Sequence, residues 1–293
     1  MSIYDCFMYY DEDLILDLRL NLLNNYVKKF ILVEANYTHS GKKRNFNFDI
    51  NKFQKFKNKI IYIQVKEPPI NIKNYTDKDD VDKKNSIILD NALMRENFQR
   101  NQISKGLSEC LDDDLVLIGD IDEIPSIENL KHKNKITIFL QKMFYYKFNL
   151  MHPTMTWIGT KACKKKDLIS PQWLRNISSK KYALWRLDTL FSKKKYFNLN
   201  FINDGGWHFT SLKKPEDVHY KLSNFLHHLE FEESNISIED LKKIIKEKKV
   251  MYDHSADKRD NKWNSSISLV KIEDHLLPKY LIQNKVKYSD FFD

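Results

Sequence analysis

The strongest constraint on this chain is a set of short apolar runs separated by helical patterns. Residues 3–9, 29–35, 60–65 and 114–119 each read as a buried strand. Between the first two, Glu12 to Asn24 places Leu16, Leu20 and Leu23 at helical spacing. Residues 51–56 are a short helix candidate, and 67–84 read as a polar loop. The next helix is expected over 85–107, with Asn85 or Ser86 as N-cap and Gly106 at its end. Strand, helix, strand, helix, strand is the start of a parallel α/β sheet. One or two strands follow in 136–150. Helices are expected over 215–232 and 237–249, the last capped by Ser237. This pattern predicts one α/β domain with a helical C-terminal part.

No apolar run is long enough to span a bilayer. The first residues carry neither a basic n-region nor an apolar h-region, so a soluble, cytoplasmic chain is expected. Cys6, Cys110 and Cys163 lack metal or redox spacing and suit a reducing compartment. A net charge of +9, from 49 Lys and Arg against 40 Asp and Glu, favours anionic partners without choosing among them. The lysine runs at 164–166, 193–195 and 242–249 read as solvated faces.

The acidic cluster Asp120-Ile121-Asp122-Glu123 follows the strand at 114–119 directly. Open α/β sheets bind ligands at the carboxyl ends of their strands. In extended backbone Asp120 and Asp122 point the same way, so their carboxylates can share Mg²⁺ or Mn²⁺. An exposed acidic turn is the competing reading. His208, after the paired Gly205 and Gly206, either completes such a shell or packs beside Trp207. Glu34 ends its strand at the same edge and can accept from a ribose or base, or form a salt bridge. Arg95 can reach a diphosphate, or form a surface pair of the kind Glu96 and Arg100 make. Tyr145, Tyr146 and the tryptophans are stacking platforms or core. His227, His228 and Glu230 form a late polar cluster. Walker, nucleophile-elbow and zincin motifs are absent from the sequence.

These residues also occur in an ordered series. It comprises Tyr4-Asp5-Cys6-Phe7 with Leu18-Arg19-Leu20-Asn21, then Val33-Glu34-Ala35-Asn36 with Thr38-His39-Ser40-Gly41-Lys42. It continues through Arg95-Glu96 with Gln99-Arg100-Asn101, Asp120-Ile121-Asp122-Glu123-Ile124-Pro125 and Gly206-Trp207-His208-Phe209. The series resembles glycosyltransferase family 17, the family of β-1,4-mannosyl-glycoprotein β-1,4-N-acetylglucosaminyltransferase. The resemblance implies a GT-A type, Rossmann-like mixed sheet flanked by helices. It implies inverting transfer from UDP-GlcNAc to a glycan acceptor, with Mn²⁺ or Mg²⁺ as cofactor.

By that resemblance Asp120, Asp122 and His208 hold the metal. Glu34, Arg95, Gln99, Arg100 and Asp120 serve the donor site or its scaffold. Residues 1–125 would form the nucleotide-sugar half, 126–232 the acceptor half and 233–293 a helical extension. Animal members carry a Golgi anchor that this sequence lacks, so a microbial or viral member acting on a glycan other than a Golgi glycoprotein is expected. An inverting transfer needs a base for the acceptor hydroxyl, and Asp188, Asp204 and Glu230 are the candidates. A Mg²⁺-dependent nuclease or nucleic-acid-binding protein would use the same acidic cluster with the basic surface, but no second acidic cluster supports it. No nucleic-acid partner is therefore expected. A non-catalytic sugar-binding protein is the remaining alternative.

Overall fold

A computed structural model describes every residue of the chain except 129, 181, 184, 190, 226, 227, 255–261 and 264. The first half follows the expected alternation: β1 (Ile3–Met8), α1 (Asp13–Leu23), β2 (Lys29–Ala35), β3 (Ile60–Val65), α2 (Val81–Asn101) and β4 (Leu115–Ile118). The second half adds β5 (Glu123–Pro125), β6 (Ile136–Tyr145), β7 (Leu150–Lys164), α3 (Pro171–Arg175), β8 (Leu199–Ile202) and β9 (Gly206–Thr210). It ends with α4 (Pro215–Leu222), α5 (His228–Ser234), α6 (Ile238–Lys246), β10 (Val270–Lys271) and α7 (Lys279–Gln283).

All ten of these strands form one mixed sheet, ordered β3-β2-β1-β4-β7-β6-β9-β5, with β10 on β7 and β8 on β6. The first four are parallel, and Cys6 sits opposite both Ile31 and Ile118. Alternate residues of these strands enter two apolar layers. Phe7, Phe30, Leu32, Leu115 and Leu117 pack with Leu16, Leu20 and Leu23 of α1. Cys6, Ile31, Val33, Val116 and Ile118 pack with Ile103, Leu107 and Leu174 on the other face. Burial on both faces is what makes the centres of β2 and β4 read as continuous apolar runs. After β1 the order turns back to place β4 on the opposite side from β2. Such a reversal opens a crevice at the strands' carboxyl ends.

Three elements depart from expectation. Helix α2 begins at Val81, because the Asp80 carboxylate accepts from the Lys83 N–H at 2.7 Å. Its first turn is polar and exposed, so no apolar period marks it. The helix expected over 215–232 is broken into α4 and α5. Asn224 and Ser223 donate to the carbonyls of Tyr220 and His219, which ends α4. The C-terminal part also returns a strand to the sheet, with Val270 opposite Met151. By contrast, Ser237 caps α6 as expected, in a reciprocal capping box with Asp240. Among the described residues no helix is long and apolar enough to cross a membrane.

A buried ion pair joins the sheet to the acidic segment. Arg19, inside the leucine-rich α1, donates from Nε and Nη2 to both oxygens of Asp5, each at 2.7 Å. Both side chains are fully buried. The remaining nitrogen, Nη1, donates to the carbonyls of Asp120, Ile121 and Glu123 at 2.8, 3.0 and 2.9 Å. Removing Asp5 would leave the guanidinium charge without its counterion, which costs about 3–5 kcal/mol. Asp5→Ala should therefore lower the urea-unfolding free energy by about that amount. A loss under about 1 kcal/mol, the scale of an exposed pair, would show that the pair is not a structural anchor.

Candidate active site

A cavity of about 470 Å³ opens at the carboxyl ends of β1 and β4. Met8, Tyr9, Tyr10 and Glu12 enter from the chain after β1, and Asp120, Ile121 and Asp122 from the chain after β4. Helix α2 contributes Glu96, Gln99 and Arg100, strand β9 contributes His208, and α4 contributes Lys221.

The segment after β4 is a turn rather than an extended run. The Glu123 N–H donates to the Asp120 carbonyl at 3.0 Å, and Arg19 gathers the carbonyls beneath it. The two aspartates consequently serve different partners. The Asp120 carboxylate accepts from Arg100 Nη2 at 3.0 Å on one oxygen and from Arg175 Nη2 at 3.1 Å on the other. Arg175 also grips Glu123 through both terminal nitrogens, at 2.7 and 3.0 Å. Glu123 is fully buried and accepts the Trp157 indole N–H at 2.8 Å. Burial alone would push the Asp120 carboxyl up, but Arg175 and Arg100 hold it well below the usual carboxylate range.

Asp122 faces His208 and Lys221. His208 Nε2 lies 3.5 Å from Asp122 Oδ1, and Lys221 Nζ lies 3.9 Å from Oδ2. The sheet makes this meeting: β5 pairs with β9 so that Glu123 stands opposite His208, and the Phe209 N–H donates to the Asp122 carbonyl at 2.9 Å. Close pairing needs Gly206, whose φ is +124° and whose missing Cβ would lie 2.1 Å from the Ile124 carbonyl. The paired glycines thus serve strand packing. Burial raises the Asp122 carboxyl, yet His208 and Lys221 bring it below its ordinary value. Lys221 also lies 3.5 Å from Glu12, a buried carboxylate held by the Tyr10 and Asp11 N–H groups. Burial lowers the Lys221 ammonium, but Glu12 and Asp122 raise it above its usual value.

The three residues expected to share a metal therefore do not converge. Among the described residues no group of three or more His, Cys, Asp or Glu is gathered for one ion. Asp122 and His208 alone do fit a divalent cation. Their facing atoms, 3.5 Å apart, can both reach an ion at bond lengths of about 2.1 Å. His208 Nδ1 has no partner among the described residues, and Nε2 faces the Asp122 carboxylate. Magnesium-like sites commonly use one or two protein ligands and fill the rest with phosphate oxygens and water.

The other expected residues divide clearly. Gln99 and Arg100 line the cavity. Gln99 donates to the Val33 carbonyl at 3.1 Å and lies 3.3 Å from His39 Nε2. Glu34 is sealed behind the wall. It accepts from Arg44 at 2.9 Å, from the Asn47 and Phe48 N–H groups at 2.7 and 3.1 Å, and from the Tyr62 hydroxyl at 2.7 Å. Arg95 is also off the cavity wall. It donates to the His39 carbonyl at 3.0 Å and lies against Gly41, whose φ is +98°. Asp188 and Asp204 are off it too. Asp188 pairs with Arg186 and Lys195, and Asp204 is 80% exposed beside Lys142. Glu230 accepts from the Tyr252 hydroxyl at 3.3 Å, and Tyr252 lines the cavity. His228 is buried against the Phe225 carbonyl, and His227 lies outside the described residues. Tyr146 is core, whereas Tyr145 lines the cavity.

Sequence reasoning missed Arg19, Asp5, Arg175, Glu12 and Lys221. A charged residue inside an apolar strand or a leucine-rich helix was a usable signal for Asp5 and Arg19. Nothing local marks Arg175 or Lys221, which reach the site only through the fold. The wall beside His208 is aromatic. Trp157 stacks on His208 with ring centres 4.5 Å apart and meets His254 edge-on at 5.2 Å, and Tyr252 stands beside His254 at 4.8 Å. Burial pushes His254 down to about 4, so it is neutral at physiological pH.

Comparison with known families fits this geometry: residues 1–168 match the model of glycosyltransferase family 17. The chain belongs to that family. It is a glycosyltransferase, and the cavity at the β1 and β4 ends is its candidate active site. The match covers β1 to β7 and stops before Arg175, His208 and Lys221. No curated protein matches the chain.

Glu34 gives a direct test of wall against pocket. Its removal would strand Arg44, only 8% exposed, without its carboxylate. Glu34→Ala should cost about 3–5 kcal/mol in urea unfolding. A variant of wild-type stability with a raised donor KM would instead return Glu34 to the binding surface.

Proposed function

We propose that this glycosyltransferase carries out inverting, divalent-metal-dependent transfer of GlcNAc from UDP-GlcNAc to a glycan acceptor. The observation that carries the reading is the pairing of Asp122 with His208 at the mouth of the β1–β4 crevice. The β3-β2-β1-β4 order supports a GT-A donor half, with the nucleotide over the strand ends. The choice of UDP-GlcNAc rests on family membership, because no contact in the cavity by itself reads uracil or an N-acetyl group.

Asp122 and His208 would hold Mn²⁺ or Mg²⁺, which when bound neutralises the donor diphosphate and its departing charge. Arg100 and Arg175 hold Asp120 charged and fix the turn, so that Asp122 stays directed at His208. In this role Asp120 is a positioning residue whose remaining exposure faces the cavity. Trp157 and Tyr252 offer flat faces to an acceptor sugar, and the wall they form excludes water from the far side. Glu230, hydrogen-bonded to the wall residue Tyr252, is the base of this reading.

UDP-GlcNAc with Mn²⁺ should raise the melting temperature more than GDP- or CMP-sugars do, and chelation should remove the effect. A preference for GDP-mannose, or stabilisation unchanged by chelator, would defeat the donor and metal assignments. Asp122→Asn should cut transfer or donor hydrolysis by about 10²–10³-fold without unfolding the protein. Glu230→Gln should lower kcat by about 10²–10⁴-fold and leave the UDP-induced thermal shift intact. Wild-type turnover in Asp122→Asn would sink the metal site, and wild-type kcat in Glu230→Gln would remove the base.

A further inference from the structure

A loop outside the site carries exposed apolar residues that the catalytic reading does not use. It springs from the end of α3 and closes at its base, where the Ser178 N–H donates to the Lys194 carbonyl at 2.8 Å. The Trp173 indole donates to the Lys193 carbonyl at 2.5 Å, and Tyr196 packs edge-on against the same ring. Internal contacts shape the loop. Asp188 ties Arg186 at 2.7 Å to Lys195 at 2.9 Å, and the Tyr182 ring lies beneath both cations.

At its tip the loop presents Trp185, Leu187 and Phe191, which are 81%, 70% and 89% exposed. Large apolar side chains held out in water on a built loop mark an interaction surface. Their flanks are basic. Residues 178–195 hold Lys180, Lys181, Arg186, Lys193, Lys194 and Lys195 against the single acidic Asp188. Exposed aromatic residues on a lysine-rich loop suit the headgroup region of an anionic bilayer. The rings enter the interface, and the lysines meet lipid phosphates and carboxylates. The net charge of +9 acts in the same direction.

We propose that the 178–194 loop docks this protein peripherally on an anionic phospholipid surface. Trp185, Leu187 and Phe191 are the inserted residues, and Lys193 and Lys194 with their neighbours supply the charge. This surface is independent of the reaction assigned above, and neither Trp185 nor Phe191 touches the cavity.

The test is flotation of the full chain with two kinds of vesicle: pure phosphatidylcholine, and phosphatidylcholine with about 30 mol% phosphatidylserine. The wild type should float with the acidic vesicles, bind the neutral ones much less, and detach as salt rises. Trp185→Ser/Phe191→Ser and, separately, Lys193→Gln/Lys194→Gln should each weaken binding by about tenfold or more. Both variants should keep the wild-type circular dichroism and donor hydrolysis rate. Absence of binding to acidic vesicles overturns the proposal, as does binding that survives the Trp185→Ser/Phe191→Ser change. Self-association lost in that variant, without vesicle binding, would assign the tip to a second copy of the chain and would likewise overturn it.

Discussion

One guanidinium organises the active end of this protein. Arg19 is fully buried and spends all its nitrogens inside the fold, two on Asp5 and the third on the backbone oxygens of Asp120, Ile121 and Glu123 in the acidic turn. Only arginine has a planar fork able to serve a carboxylate and backbone carbonyls at once. Through it the centre of β1, the face of α1 and the exit of β4 become one rigid unit. The turn above it points Asp120 toward the α2 and α3 arginines and Asp122 toward β9. Without that turn, alternate residues of an extended segment would point their carboxylates the same way, and like charges would face each other with no cation between them.

Charge is arranged in two compartments around this unit. Asp120, Glu123, Arg100, Arg175 and Glu96 form a closed network that keeps its ions paired without any ligand. Asp122, Glu12, His208 and Lys221 form a looser set on the open side, with contacts of 3.5–3.9 Å. On the proposed reading a cation would replace contacts of only 3.5 and 3.9 Å around Asp122, so little rearrangement of the chain would be needed. The tight network supplies rigidity, and on the proposed reading the loose one would give a place to a diphosphate and its counterion. Arg175, His208 and Lys221 lie beyond residue 168, so the family-matched region alone does not complete the site.

Much of the first half was legible in the sequence because its strands are buried on both faces. The centres of β2 and β4, Phe30 to Val33 and Leu115 to Ile118, are apolar without interruption, and the leucines of α1 keep a helical period. The acidic cluster was legible as a site, since it leaves a strand at the ligand edge. Its geometry was not, because a turn and an extended segment share the same residues, and the choice was made by Arg19 from over a hundred positions away. Glu34 was placed at the correct edge, but the four donors that claim it come from residues 44–62 and carry no local signature. Asp204 and Asp188 stood out as carboxylates, yet only the fold shows that each is paired at the surface. His208 reached the site through a strand pairing that Gly206 permits, and the glycine pair was the visible trace of it.

The central claim is that Asp122 and His208 hold the cation while Asp120 is retained by arginines. Electron spin-echo spectroscopy of the Mn²⁺–UDP complex reads the metal's nitrogen ligands directly. The account predicts an imidazole-nitrogen modulation in the wild type that persists in Asp120→Asn and disappears in His208→Gln. A wild-type complex without that modulation, or one in which His208→Gln keeps it, would contradict the account.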